Sequence, residues 1–565
     1  RNARGWFAEF RIPFSSLRFR PGDALVWGVN FERNIRRKRE QVMWQGWSRD
    51  YNLERISQAG TILGLHDLSG TRLIDVRPQG LAGFEWLDES QRDTVGHLGI
   101  DVRYNPTAAW RLNATVNPDF AQVEADRETV NLTRFPLFFP EKREFFLEGQ
   151  EFFDFELASD TQPFYSRRIG LAADRTEIPI LLGGRVLGKQ GGTTIGAMVL
   201  QTAAKEDDLG IEREPTANFG VFRIKRDVLE ESSVGALLVS RIEPGRHNFT
   251  YGVDLAYTTS EMLGDKELTA GLTLAQSYTS DADVKTGLAH RLYAAYPNDL
   301  LEMSASWVRA ADSFDPEVGF VRRRGYQRWG SEVVIAPRPA FLPLIQQMEF
   351  KPWELSYYQN DATGELESFA WEVVPLAFTT RSGEEFEIAL HRLGELLYEP
   401  FELFQGVEIP PGEYWYWRWD VEFNTFTARR LSGGVEIGGG DFYSGEQSNI
   451  ALTGRWRMSK HLTLQGDWEH NLISLGAEEF SVQEAAVRAD YAFTPSLFGS
   501  VATQWNNEDE EAIVNFRLDW IPEPGSVLYF VVNQNAATRL PEAPALRWHP
   551  TRTTILTKVV WRFAF

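Results

Sequence analysis

The chain has 565 residues and no cysteine, which removes disulfide frameworks and thiolate metal sites. Its 79 acidic residues outnumber 58 Lys and Arg, and the net charge of −21 argues against nucleic acid as a partner. Aromatics make up 13% of the chain, with 19 Trp, yet mean hydropathy is only −0.32, and no apolar run reaches the ~18 residues of a spanning helix. That balance suits strands with lipid on one face and water on the other. The chain opens at Arg1 with no signal peptide and in mid-pattern, which reads as a processed or truncated product.

Residues 1–68 differ from the rest. Residues 6–19 (WFAEFRIPFSSLRF) and 27–35 read as two strands around a Pro21-Gly22 turn. Residues 36–39 form a short basic run, expected at a solvated or headgroup-facing edge. The stretch from Gly60 reads as an edge strand leading onward. From Leu73 to Phe565, period-two segments follow one another almost without interruption. Segments 73–87, 94–104 and 110–116 read as strands running outward, inward and outward. Phe249, Tyr251, Val253, Leu255 and Tyr257 oppose Thr250, Gly252 and Asp254. Trp415, Trp417, Trp419, Val421 and Phe423 oppose Tyr416, Arg418, Asp420 and Glu422, and Phe516 and Trp520 oppose Arg517 and Asp519. The chain ends with Ile555, Val559, Trp561, Phe563 and Phe565 on one face and Lys558 and Arg562 on the other. Charge on nearly every inner face would be costly in a soluble core. The fold class expected is therefore all-β: a large antiparallel transmembrane barrel of about 24 strands.

The connections agree. Counted back from Phe565, long and short links alternate, as external loops and periplasmic turns do in outer-membrane barrels. An even strand number would put residues 1–68 on the periplasmic side with the carboxy terminus. Gly438 to Gly440 reads as a strand end or bulge.

Residues 117–149 (NPDFAQVEADRETVNLTRFPLFFPEKREFFLEG) break this rhythm and are too long for an ordinary connection. The segment combines acids (Asp119, Glu124, Asp126, Glu141, Glu144, Glu148) with paired rings (Phe138-Phe139, Phe145-Phe146, Phe152-Phe153). One reading is a constriction whose carboxylates set selectivity; the other is a structural plug, favoured because a wide barrel needs filling. A stretch this rich in Phe is expected to fold back into the lumen. There Phe138, Phe139, Phe145 and Phe146 would form a small core, and Arg143, Arg167 and Arg168 would pair with Glu141, Glu144 and Glu148. The segment expected to act as lumen filling spans 117–170.

With residues 164–170 (FYSRRIG) and 314–323 (FDPEVGFVRR), this segment resembles domain-of-unknown-function family 5916, and FFPEKREFFLEG is its most specific stretch. The resemblance implies an envelope protein in which a family-9-type carbohydrate-binding module precedes an outer-membrane barrel. It makes residues 1–68 the last part of that sandwich and residues 69–565 the barrel. The sugar-gripping aromatics of the module cannot be matched here. The terminal Trp561, Phe563 and Phe565 also resemble the insertion signal of bacterial outer-membrane barrels, implying contact with the assembly machinery.

Three functions follow as expectations. The first is a non-enzymatic barrel that binds or passes a solute, glycan-related by the resemblance, with outer-membrane lipid and an oligosaccharide or other solute as partners. The second is a glycoside-active enzyme using insert or loop carboxylates at glycosidase separation. The third is an assembly protein docking envelope partners. No HExxH pattern, P-loop, GxSxG or dinucleotide fingerprint appears in a usable context, so no catalytic residue, cofactor or metal is assigned.

Overall fold

The computed structural model describes residues 7–12, 14, 17, 19, 22–35, 40–46, 48–68, 73–87, 91–118, 129–172, 176–206, 212–281, 283–539 and 548–565. From Leu73 onward the strands form one closed antiparallel barrel of 24 strands. The short segment Phe563–Ala564 continues His549–Val560, since both pair with Leu73–Leu87. Closure is complete to the last residue: Phe565 N–H donates to Ile74 O at 2.9 Å and Ile74 N–H to Phe565 O at 3.2 Å. A closed barrel satisfies every ladder group internally, as a sheet immersed in lipid must.

The period-two faces emerge with the expected register. Trp415, Trp417, Trp419, Trp520, Trp561, Phe563 and Phe565 are exposed on the outer wall. Facing inward, Arg418 donates to Gln447 at 2.7 Å, Asp420 meets His391 at 2.5 Å, Arg517 pairs with Asp519 at 2.6 Å and Arg562 with Asp75 at 2.8 Å. Outer-wall cations depart from the pattern where rings cover them, as Arg92 does 4.0 Å from the Phe84 ring. Arg392 lies opposite Trp417 in the ladder, 5.3 Å from the rings of both Trp415 and Trp417, where stacking covers part of its charge. Val253 sits mid-strand on the outer wall, 53% exposed. A Val253→Lys substitution is expected to cost roughly 2–4 kcal/mol of folding into bilayers, and Tyr257→Lys nearer the rim about 0–1 kcal/mol. Urea titration in lipid vesicles measures both, and equal costs would refute this depth assignment.

The glycine cluster is not a strand end. Gly438 to Gly440 lie inside the strand Leu431–Phe442. Gly440 has φ +137° and a Cβ there would sit 2.2 Å from Trp417 O, so the neighbouring strand approaches too closely for any side chain.

The amino-terminal region differs from the sequence expectation. Residues 7–12 form no strand. The observed strands are Gly22–Val29, paired antiparallel with Gly60–Leu68, and a small hairpin of Glu32–Ile35 with Glu40–Met43. Pro21 and the basic run 36–39 lie outside the described residues. Between the two sheets the chain runs across the barrel end that also carries the carboxy terminus. Asp50 accepts from Lys266 at 2.7 Å and from Asp299 N–H at 3.0 Å. Tyr51 donates to Asp265 O at 2.9 Å. Arg55 pairs with Glu231 at 2.8 Å and Glu267 at 3.1 Å. Three successive hairpin turns are thus tied to one segment.

Candidate functional site: the lumen insert and its wall

The insert leaves the wall after Trp110–Val116 and rejoins it at Ile180–Gln190, two strands that pair directly with each other. It emerges at the end opposite the termini and folds into the lumen. Its first turn of helix, Glu144–Leu147, closes at Gly149. Gly149 has φ +76°, and a Cβ there would lie 2.3 Å from Leu187. Only glycine reverses the chain this close to the wall.

The three motifs quoted from the sequence form one body. Glu141 accepts from the backbone N–H and guanidinium of Arg143 and from Ser166. Arg143 also donates to Ile169 O at 2.6 Å and Ser166 O at 2.8 Å, and Arg167 to Pro140 O at 2.7 Å. Thr161–Gln162 pairs with Phe320–Val321, and Arg168 donates to Gly319 O at 3.3 Å. Buried Asp160 receives the hydroxyls of Tyr326 and Tyr358 from the wall, at 3.1 and 2.9 Å.

The core under this body corrects one expectation. Phe146 is buried, with Phe152, Phe153, Phe155 and Leu157, against Leu187, Met198, Leu200, Phe219, Val221, Leu237 and Val239 of the wall. Phe145 packs at the edge of that core. Phe138 is 45% exposed and rests on Tyr165 and Phe320. Phe139 is half-buried, its carbonyl taking the Tyr165 hydroxyl. The wall here is apolar on its inner face as well as its outer one, so it wants the later phenylalanines more than the earlier pair.

The expected ion pairs divide in the same way. Glu141 has its local partner Arg143. Glu144 and Glu148 instead reach wall arginines, because the helical turn points them away from Arg167 and Arg168. Glu148 meets Arg103 at 2.9 Å, Arg185 at 3.0 Å and Arg111 more closely still. Glu144 meets Arg77 at 3.2 Å and Arg103 at 3.3 Å. Asp119, Glu124 and Asp126 lie outside the described residues.

The insert also crosses to the far wall. Val130 is buried among Leu397, Leu403, Phe404, Ile409, Ile473 and Val482, and its N–H donates to Glu484 at 2.5 Å. Arg134 pairs with Glu395 at 2.9 Å. Below that crossing the far wall is polar. Cross-strand pairing places Glu387, Glu422, Glu436, Ala451, Glu469 and Glu484 in one continuous row on the inner face. Like charges set directly opposite one another are tolerable only in water, and nearby Glu354, Glu372 and Asp420 keep 41%, 25% and 28% of their side-chain surface exposed. Among the described residues no three His, Asp or Glu side chains converge to hold a metal ion.

Burial pushes the Glu141 carboxyl up, but its bonds and charge pairing with Arg143, with the Ser166 hydroxyl, outweigh this and hold it low. Burial of Glu148 is likewise outweighed by Arg103, Arg111, Arg185 and Arg77. Both folded values lie below the released-state value near ~4.3, so both groups stabilise the docked insert fully above that pH. That stabilisation drains away as pH falls through the folded values. Protection factors of residues 141–153 are expected to fall in an intact barrel as pH drops below about 4.3; protection factors that hold through all lower pH would refute the assignment.

Residues 78–179 match the family model of a domain of unknown function, DUF5916. The DUF5916 segment begins in the first barrel strand and ends where the insert rejoins the wall. It therefore holds Arg103, Arg111, Glu141, Glu144 and Glu148, and it does not reach residues 1–68. No curated protein matches the chain. Among solved structures, a mutant of the ferric enterobactin receptor from Pseudomonas aeruginosa is similar at 9% identity, covering 90% of this chain and 82% of that one, with a TM-score of 0.43. A copper transporter, OprC, is similar at 10% identity, covering 89% and 83%, at 0.43. The FrpB iron transporter from Neisseria meningitidis is similar at 9% identity, covering 90% and 86%, at 0.43. What those proteins carry is a property of theirs. The closed barrel and apolar outer wall of the chain are those of an outer-membrane protein.

Proposed function

We propose that the protein is a constricted outer-membrane pore that passes a small polar solute between the insert and the acidic far wall. One observation carries this: the insert is glued to one half of the inner wall by an apolar core, while the opposite half presents a hydrated row of glutamates. Charged rings of this kind sort permeants by charge. The terminus-bearing end is the periplasmic one, and the segment from Asp50 to Arg55 lies across it. That segment borders a polar cavity of about 360 Å³ lined by Arg49, Asp50, Glu302, Glu332, Glu349 and Lys351. A glycan as the solute is supported only by the carbohydrate-binding module that the family resemblance of residues 117–149 implies ahead of the barrel, and by nothing in the lumen.

Reversal potentials in planar bilayers under a KCl gradient test the reading. The intact protein is expected to conduct with a preference for K⁺, and Glu422→Gln with Glu436→Gln to abolish that preference. Conductance with no charge preference, or none at all, would overturn it.

Two of the described insert carboxylates, Glu141 and Glu148, give the enzymatic reading no support. A general acid must hold a proton near neutrality, whereas Glu141 and Glu148 are kept ionised by guanidinium groups. A docking role has one observation in its favour: Phe10, Val26, Phe31, Ile56 and Leu63 of the amino-terminal region are more than half exposed.

A further inference from the structure

Four consecutive neighbours in the wall, Leu73–Leu87, Gln91–Thr107, Trp110–Val116 and Ile180–Gln190, each send one arginine to the same place: Arg77, Arg103, Arg111 and Arg185. The groups facing them are Glu144 and Glu148 from the insert and Asp101, which lies cross-strand from Arg77 and Thr115. Asp75, a fourth acid near Arg77, is taken by Arg562, and the two insert occupants hold unequally. Glu148 is 19% exposed and touches three guanidiniums, whereas Glu144 is 77% exposed, with contacts of 3.2 and 3.3 Å. Those are long for charge-assisted bonds, which settle near 2.7–2.9 Å. Donor capacity is also unspent. The Nε atoms of Arg77 and Arg185 are buried without a hydrogen-bond partner among the described residues, and the Arg185 side chain is only 1% exposed. A buried unfilled donor is costly, and guanidinium forks match carboxylates best.

We infer that this arginine cluster is a binding site for a carboxylate-bearing solute, filled in the resting protein by the side chains of Glu144 and Glu148. The inference rests on the pore reading only in making the site reachable through the lumen. An entering di- or tricarboxylate takes the place of the loosely held Glu144 first and then competes for Glu148. The glutamate row on the opposite wall repels it toward the arginines. Since Glu148 sits at the end of the turn that seats Phe146 and Phe152, its displacement loosens the insert. The insert is then both the constriction and the resident competitor of the solute.

The absence of cysteine allows a single reporter. Leu147, 44% exposed between the two glutamates, is replaced (Leu147→Cys) and spin-labelled in the full chain, with heat-modified gel mobility checking that each barrel is intact. Tricarballylate, a tricarboxylate, is titrated at constant ionic strength, with inorganic phosphate and NaCl as the other arms. Tricarballylate is expected to mobilise the label saturably. Added Glu144→Gln, which leaves Glu148 to hold the insert, is expected to lower the half-saturating concentration about threefold by removing the loosely held competitor, and Arg77→Gln to raise it about tenfold. Phosphate acting at equal or lower concentration would replace the carboxylate assignment. Mobilisation by NaCl alone, or half-saturation unchanged in both Glu144→Gln and Arg77→Gln, would overturn the site. Saturable mobilisation in a protein that shows no bilayer conductance would keep the site and refute the pore.

Discussion

Removing residues 131–149 is expected to raise single-channel conductance severalfold and weaken its charge preference. The deletion takes out the strap from Val130 toward Phe146, the only described part of the insert that bridges both walls. The barrel ladder does not pass through it, because Trp110–Val116 and Ile180–Gln190 pair directly across its base. The wall should therefore still close, and heat-modified gel mobility verifies that it does. What opens is the space between the apolar half and the glutamate row. A barrel of 24 strands is wider than those that leave an aqueous channel at 16–18 strands, so an unfilled lumen would conduct freely. Conductance unchanged in a closed barrel would place the strap outside the permeation path.

The second large effect separates two glutamates four residues apart. Glu148→Ala is expected to cost about 3–5 kcal/mol of insert docking, because it strands Arg185 and strips Arg103 and Arg111 of their shared partner. Glu144→Ala, removing a mostly exposed carboxylate, is expected to cost about 0–1 kcal/mol. Hydrogen exchange of residues 144–153 measures both. Equal protection factors in the two variants would mean that the arginines are satisfied elsewhere.

The barrel was legible because lipid and water impose a strict period of two, and the insert because it breaks that period. FFPEKREFFLEG pointed to the correct segment, and Arg143 could be assigned to Glu141 because the two lie two residues apart. The wall arginines could not be. Arg103 and Arg185 look like any inward charge on a barrel strand, and only the closed sheet brings them to one helical turn. The sequence carries one further signal. Strands such as Thr193–Thr202 and Ser232–Glu243 carry apolar residues on both faces, Met198 beside Val199 and Leu237 beside Leu238. A strand apolar on both sides is covered on both sides, which marks the stretch of wall where the insert lies. Of the amino-terminal strands, the one from Gly60 lies where the sequence places it, whereas the run at 7–12 forms none, because a short aromatic run with no lipid to sort it has no fixed face.

The order of the chain lets the filling be in place before the wall closes. The surface on which Phe146, Phe152, Phe153 and Phe155 rest is supplied by strands between Ile180 and Ile335, all of which directly follow the insert. The seam, by contrast, waits for Phe565 to meet Ile74. An open, curved sheet carrying its own cargo can therefore form first, and the remaining strands wrap around it. Nothing has to be threaded through a finished mouth. A chain cut short before its last strand would retain the packed insert and lack only the wall that hides it from the bilayer.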